Sequence, residues 1–541
     1  MQILVIVESP SKCKKIESYL GKMYKCIASF GHICKLTKIN KENSYEPKFE
    51  LISEKKKHIK FMCDSIKKAD EVILATDDDR EGEAIAWHIC RVANLPLTTK
   101  RIIFHEITQE ALVKAVKNPT IIDMKKVNSQ LGRQVLDLIV GFSISPILWK
   151  QFFHSVGKNN GLSAGRCQTP ALRLVYENKQ EIDKEPGDMV FETTGIFTDK
   201  KIEFKLNKEI KKESDIEGFL NDSKNYKHII KNVSEPVRKT RNAPLPFSTS
   251  SLQQRASNEL HYSPKRTMQL AQKLYEAGHI TYMRTDNKKY SRSFIKETQK
   301  YIIKNWNCGN EYLKKNYNSI VIGGSKSKDT TAQEAHEAIR PTRITSREVD
   351  MEVGEKKLYK LIWETTIESC MSNCIYNLLT TEISTPRNYL YRNNQEQIIF
   401  PGWLLIKGFI KENSIYNYLI SLRHQEVKYD KIMSKQCLKH LKSHYTEAKL
   451  VQTLEKKGIG RPSTFSSLID KIQQRMYVKK DNIEGKEISC KEYVLDSKSL
   501  KEQAVMKVFG NEKNKLVLQP LGRFVVEFLL SKFDNVFEYD Y

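Results

Sequence analysis

At 541 residues the chain is too long for one hydrophobic core and should divide into roughly three to five domains. Hydrophobic residues make up an ordinary 40%, but 90 Lys and Arg against 65 Asp and Glu leave a formal charge of +25 and a pI near 9.3. Such an excess repels itself unless a polyanion offsets it, so nucleic acid is the first partner to consider, because each neutralised phosphate releases a counterion. Lys55-Lys56-Lys57 and Lys314-Lys315-Asn316 also fit the codon bias of an AT-rich bacterium or large DNA virus. The eleven cysteines show no repeated CxxC. The closest pair, Cys370 and Cys374, would share a face of a helical-looking stretch from Leu358 to Cys374, but with no second pair nearby zinc is not expected. Reduced thiols of an intracellular protein are the simpler reading. Met1–Val7 is a short apolar run without a basic lead or cleavage site, which predicts a buried strand and not a signal peptide. No apolar stretch approaches the ~18 residues of a membrane span, so no membrane partner is expected.

In chain order, Ile3–Val7 reads as a strand, Ser11–Leu20 as a helix, Glu71–Thr76 as a second strand, about Glu81–Ala93 as a helix and Ile102–Phe104 as a third strand. That alternation predicts a parallel sheet with crossover helices, whose chemistry gathers beyond the carboxyl ends of its strands. Residues Asp123–Glu181 are helical, broken by a loop over Gly157–Gly161. Met189–Phe204 and Lys227–Val237 alternate as strands, about Ser250–Tyr301 and Glu355–Cys374 are helical, and Tyr376–Tyr429 reads as strands and hairpins. The tail from about Thr446 begins helical and becomes mixed. There is no internal repeat, and the alternation of blocks implies domains assembled from distant segments.

The densest chemical signal is Ala75-Thr76-Asp77-Asp78-Asp79-Arg80-Glu81-Gly82-Glu83. Carboxylates packed at a strand end cannot all ionise without a counter-cation, and a hard divalent ion such as Mg²⁺ answers that need. A solvated acidic turn supplying charge to the next helix N-terminus is the blander explanation. The apolar strand before the run, the helix after it and the strand-end acid Glu8 favour the metal site. Glu8-Ser9-Pro10-Ser11-Lys12 adds a carboxylate and an ammonium suited to phosphoryl chemistry, although a capped surface loop explains the same residues.

In Gly278-His279-Ile280-Thr281-Tyr282-Met283-Arg284-Thr285-Asp286, a helix ends at Gly278 and an extended segment would put Tyr282 and Arg284 on one side. A lone tyrosine is ordinarily a packing residue. One that attacks phosphorus needs cations nearby, since its reference pKa is ~10 and charge builds on the phosphoryl oxygens. Arg284 supplies one.

Taken together these residues resemble the type IA DNA topoisomerases. Val5–Lys12 looks like the opening of their Toprim domain, and Ser29-Phe30-Gly31-His32-Ile33 and Ala75–His88 resemble its later motifs. Ile280–Asp286 is similar to the active-site tyrosine motif. The resemblance continues through Leu162–Pro170, Gln333–Thr342, Gly458–Thr464 and Leu518–Arg523. It covers nearly the whole chain, with 190–240 and 343–430 alike only in general character.

The resemblance implies a multidomain α/β and α+β protein. An N-terminal, Rossmann-like Toprim domain (1–140) would join a helical domain for single-stranded DNA (141–188 and 433–541). A β-rich arch (189–241 and 369–432) and a helical domain carrying the tyrosine (242–368) would complete a toroidal clamp. It implies a monomer that relaxes negatively supercoiled DNA without ATP, at the bacterial nucleoid or a viral replication site. Tyr282 would cleave one strand and remain on the 5′-phosphate, Glu8 would act as general acid and base, and Lys12 and Arg284 would stabilise the charge. Glu8, Asp77, Asp79 and Glu81 would hold Mg²⁺. His32, Arg133, Asp137, Arg166, Gln168, His336, Arg340, Arg461, Ser463 and Thr464 match positions around the DNA groove, although His336 could simply pack and Thr464 merely start a helix.

Two departures stand out. Gln134 replaces a second arginine of many bacterial relatives, which weakens one contact. The sequence ends at Phe537-Glu538-Tyr539-Asp540-Tyr541 without zinc ribbons, so less processive relaxation with intact cleavage chemistry is expected. A primase or nuclease with a Toprim centre would not explain Ile280–Asp286, and an inert clamp would not need Tyr282, Glu8 and Arg284. A reverse gyrase would need a GxxxxGK[ST] loop, which is absent.

Overall fold

The computed structural model describes residues 2–40, 45–152, 161–315, 317–322, 336–496 and 499–539. Most of the predicted Gly157–Gly161 loop, Gln333–Ala335 and the last two residues lie outside them. The fold mixes helix and sheet, and no sheet closes into a barrel among the described residues.

The N-terminal unit is a three-stranded parallel sheet in the order Tyr24–Ala28, Ile3–Val7, Glu71–Leu74. Its central strand is buried throughout, and successive side chains serve opposite faces. Leu4 and Ile6 pack with Ile85 and Ile89 of the helix Arg80–Ala93. Ile3, Val5 and Val7 join a second core that runs on into Leu274, Ile280 and Tyr282. One strand therefore ties the acidic run to the tyrosine segment. The predicted third strand, Ile102–Phe104, does not form. Only Arg101 makes a bridge to Leu74, and its guanidinium turns inward to the carbonyls of Thr76 and Asp77.

A nine-stranded sheet follows the order 500–509, 486–496, 429–439, 188–197, 202–206, 390–400, 374–384, 230–233, with 237–241 also paired to 374–384. Phe191, Phe197, Phe204, Phe219 and Tyr391 fill its core. Strands from the tail thus complete a sheet begun near residue 188, which local patterning did not foresee. Cys370 closes the helix Val353–Ser369 and Cys374 opens a strand, so the two do not share a helical face. All eleven cysteines are unpaired.

The third assembly packs helices 124–152, 168–184, 447–456, 465–474 and 520–533 around Leu148, Leu172, Leu450, Ile469 and Val525. Its longest helix corrects an expectation. Met124–Gln151 is long and apolar enough, by length and composition alone, to cross a membrane, with a mean hydropathy of 1.4 in its most apolar window. The sequence conceals this because Arg133 and Asp137 interrupt the run without ending the helix. Ile144 and Leu148 enter the core, while Leu136, Phe142 and Trp149 remain exposed beside clefts.

Candidate active site and nucleic-acid cleft

Two strand ends create the acidic centre. Beyond Val7, a Glu8 carboxylate oxygen accepts the Asp77 N–H at 2.9 Å. Asp79 caps the helix Arg80–Ala93 by accepting the Gly82 N–H at 2.8 Å. Gly82 is required here by space: a Cβ would sit 2.2 Å from the Asp77 carbonyl oxygen and 2.8 Å from Glu8 Oε1. Below, the fully buried Arg101 pairs with Glu83 at 3.2 Å and braces the Thr76 and Asp77 carbonyls at 2.7 and 3.0 Å. Sequence reading missed Arg101, since an isolated arginine after a loop carries no local signal. Glu83 is likewise a structural acid.

Lys12 is buried, pairs with Asp77, and lies 4.9 Å from the centre of the Tyr275 ring. Burial disfavours its charge, yet Asp77 and Glu8 hold its pKa above the ordinary lysine value. Burial, and then the charges of Asp77 and Asp79, push Glu8 up to about 8.

The tyrosine segment arrives from the other side. The helix Pro264–Glu276 stops at Gly278, which adopts φ +69° where a Cβ would press on the Ile107 carbonyl oxygen at 2.7 Å. Thr281 N–H then donates to Arg340 O at 2.9 Å and Tyr282 N–H to His105 O at 2.8 Å. These bonds aim the Tyr282 ring at the acidic run. Its hydroxyl donates to Asp79 Oδ2 at 2.6 Å, and Arg284 Nη1 donates to the same oxygen at 3.1 Å. Tyr275 meets the ring edge-on at 5.2 Å, and His336 stacks on it at 5.6 Å. Burial, and then Asp79 and Asp77, hold the Tyr282 pKa well above 10, so it rests as a neutral phenol. Burial opposes charge on Asp79, but Arg284 and the phenolic hydrogen bond keep its pKa below the usual value.

The residues expected to hold a metal are not arranged alike. Among the described residues, no three of Glu8, Asp77, Asp79 and Glu81 present ligand atoms within 4.8 Å of one another. Asp77 is engaged by Lys12, Asp79 by Tyr282 and Arg284, and the more exposed Glu81 by His32 at 3.5 Å. The donor set still fits a hard ion, because Mg²⁺ needs only one or two carboxylates and takes its other ligands from water and phosphate.

Most residues expected around the DNA groove line connected clefts. Arg133, Asp137, Arg166, Gln168 and Thr464 border a cavity of about 610 Å³ that also exposes Phe142 and Trp149. Arg166 donates to Asp137 at 3.2 Å. Arg133, Arg461 and Ser463 continue past Asp79, Glu81 and Arg284. Ser463 and Arg284 then border a cleft of about 890 Å³ with Glu8, Asp77, Lys265 and Arg266. Arg340 stands apart. Its buried guanidinium pairs with Glu337 at 2.6 Å and Glu106 at 3.1 Å and covers the Phe294 ring, which makes it a brace for the tyrosine segment. Thr464 also closes its own turn by accepting the Arg461 N–H at 2.8 Å.

Comparison with known proteins gives consistent matches. The family described as "DNA topoisomerase" matches residues 121–492, and the Toprim domain matches residues 3–107. DNA topoisomerase 1 of Rickettsia felis is 36% identical over 577 aligned positions, covering 99% of this chain and 69% of the relative. The structure of full-length topoisomerase I from Thermotoga maritima superposes with a TM-score of 0.80 at 31% identity, over 99% of this chain and 84% of that one.

Proposed function

The chain belongs to the type IA DNA topoisomerases, and from that premise we propose that Tyr282 is the group that exchanges bonds with the DNA backbone. The carrying observation is the meeting of the Tyr282 hydroxyl and Arg284 on one Asp79 oxygen, across 203 positions of sequence. Tyr282 Oη attacks a backbone phosphorus, the bond to the 3′ oxygen breaks, and the strand stays on the enzyme through its 5′-phosphate. Asp79 Oδ2, which already accepts the phenolic hydrogen bond, is placed to take the proton. Glu8 is placed to protonate the departing 3′ oxygen and to recover that proton on resealing. Lys12 and Arg284 supply positive charge where the phosphoryl oxygens become more negative. The phosphotyrosine conserves the energy of the broken bond, so resealing after strand passage needs no ATP.

Mg²⁺ held by Glu8, Asp77, Asp79 and Glu81 would supply charge that aligns the cut ends. A single-stranded segment of underwound duplex would run along Arg133, Arg166, Gln168, Arg461 and Ser463, with His32 and His336 nearer the centre. The domain limits 1–140, 141–188 with 433–541, 189–241 with 369–432, and 242–368 belong to the same reading, as does a clamp that opens. Opening is required by burial, because Tyr282 is only 2% exposed and its hydroxyl is occupied.

The test uses negatively supercoiled plasmid with Mg²⁺ and no ATP. The chain should relax it, and denaturant should trap protein on 5′ ends. Tyr282→Phe should retain DNA binding and lose both signals. Continued nicking by Tyr282→Phe would refute the assignment and favour a nuclease.

A further inference from the structure

One cluster beside the nucleophile, which includes His336 of the proposed DNA path, transfers no proton in the cleavage scheme. Lys126 holds Asp78 Oδ1 at 2.7 Å. Its Oδ2 faces His105 Nε2 at 3.8 Å and His336 Nε2 at 3.7 Å, and the three facing atoms lie within 4.8 Å of one another. Both separations exceed a hydrogen bond. They approach the ~3.3 Å between neighbouring ligands of an ion whose bonds are about 2.0–2.1 Å. Asp78 and His336 are almost fully buried, and neither imidazole Nδ1 has a hydrogen-bond partner among the described residues.

From this geometry we infer that Asp78, His105 and His336 form a second cation site, selective for a borderline divalent transition ion such as Zn²⁺ or Co²⁺ over Mg²⁺. Two imidazole nitrogens and one carboxylate oxygen suit such ions, whereas Mg²⁺ prefers an all-oxygen shell. The protonation states agree. Burial, and then His336, push His105 down to about 4, and burial also lowers His336, so both rings are neutral ligands near pH 7.

The site spans two parts of the chain. Asp78 and His105 belong to the N-terminal sheet unit, whereas His336 belongs with the tyrosine segment and stacks on Tyr282. An ion bound to all three ties these parts together. Resting on the reading that they separate for strand passage, the ion holds the clamp closed and suppresses relaxation.

The decisive measurement is a Co²⁺ titration of the full chain in excess Mg²⁺, read by visible ligand-field absorption without thiolate charge transfer. One equivalent should bind saturably. His105→Asn and Asp78→Asn, with unchanged circular dichroism, should each weaken binding at least about tenfold. Absence of saturable Co²⁺ binding, or unchanged affinity in both variants, overturns the site whatever the status of Tyr282. Zn²⁺ should also inhibit plasmid relaxation reversibly on chelation. His105→Asn, which keeps the backbone acceptor for Tyr282, should relax DNA at the same rate with and without Zn²⁺. Co²⁺ binding that both substitutions abolish, without Zn²⁺ inhibition, overturns the clamp coupling.

Discussion

At the scale of single residues, burial decides what each charge does. Asp79 is the hub: it caps a helix, receives the Tyr282 hydroxyl and pairs with Arg284. An entering phosphate must draw Arg284 off Asp79, leaving its guanidinium to face the phosphoryl oxygens while Asp79 keeps the phenolic hydrogen bond. Arg284→Ala should therefore slow cleavage of a single-stranded oligonucleotide by about 100-fold or more, the scale of removing one preorganised donor. Its dissociation constant should change by less than about tenfold, as a filter-binding assay would show. Equal losses in rate and affinity would reduce Arg284 to an anchoring residue.

At the scale of elements, the helix Arg80–Ala93 carries acids of the proposed site at its N-terminus and a buried aromatic contact near its middle. His88 packs against Phe49 and Trp87, with ring centres 4.6 and 4.8 Å away. Burial, and then the nearby charge of His32, push it down to about 4 from an ordinary 6.5. The unfolded chain therefore binds the extra proton first. Stability contributed by neutral His88 is complete above about pH 6.5 and is lost as pH falls toward 4. His88→Leu should remove this share of the acid sensitivity, up to about 3 kcal/mol at full protonation. Melting temperatures of the two proteins between pH 7 and pH 5 provide the check. Parallel pH dependences would show that the ring is not a neutral core group.

Across the whole molecule, the connected clefts combine cations with exposed rings. Arg133 and Arg166 share the cavity of about 610 Å³ with Phe142, which is 68% exposed on the long helix. That combination suits single strands, because the cations follow phosphates and the rings stack on bases. Arg133→Gln should lower the slope of log affinity against log salt by about one. Phe142→Ala should weaken oligonucleotide binding roughly tenfold without changing the slope. A changed slope for Phe142→Ala would show that it acts through neighbouring charges.

What the sequence alone determined was local. A buried strand that meets Glu8, an acidic run that opens a helix, and a helix that stops at Gly278 before Tyr282 are set by neighbouring residues, and their resemblance to one enzyme family made the reaction legible. Pairing across space was decided only in the tertiary structure. It placed Tyr282 on Asp79, returned the 486–509 strands to a sheet begun near residue 188, used Arg340 as an internal brace, and gathered Asp78 with two histidines. The physical reason is that patterning records which residues tend to be buried, whereas the partner of each buried charge is chosen by long-range packing.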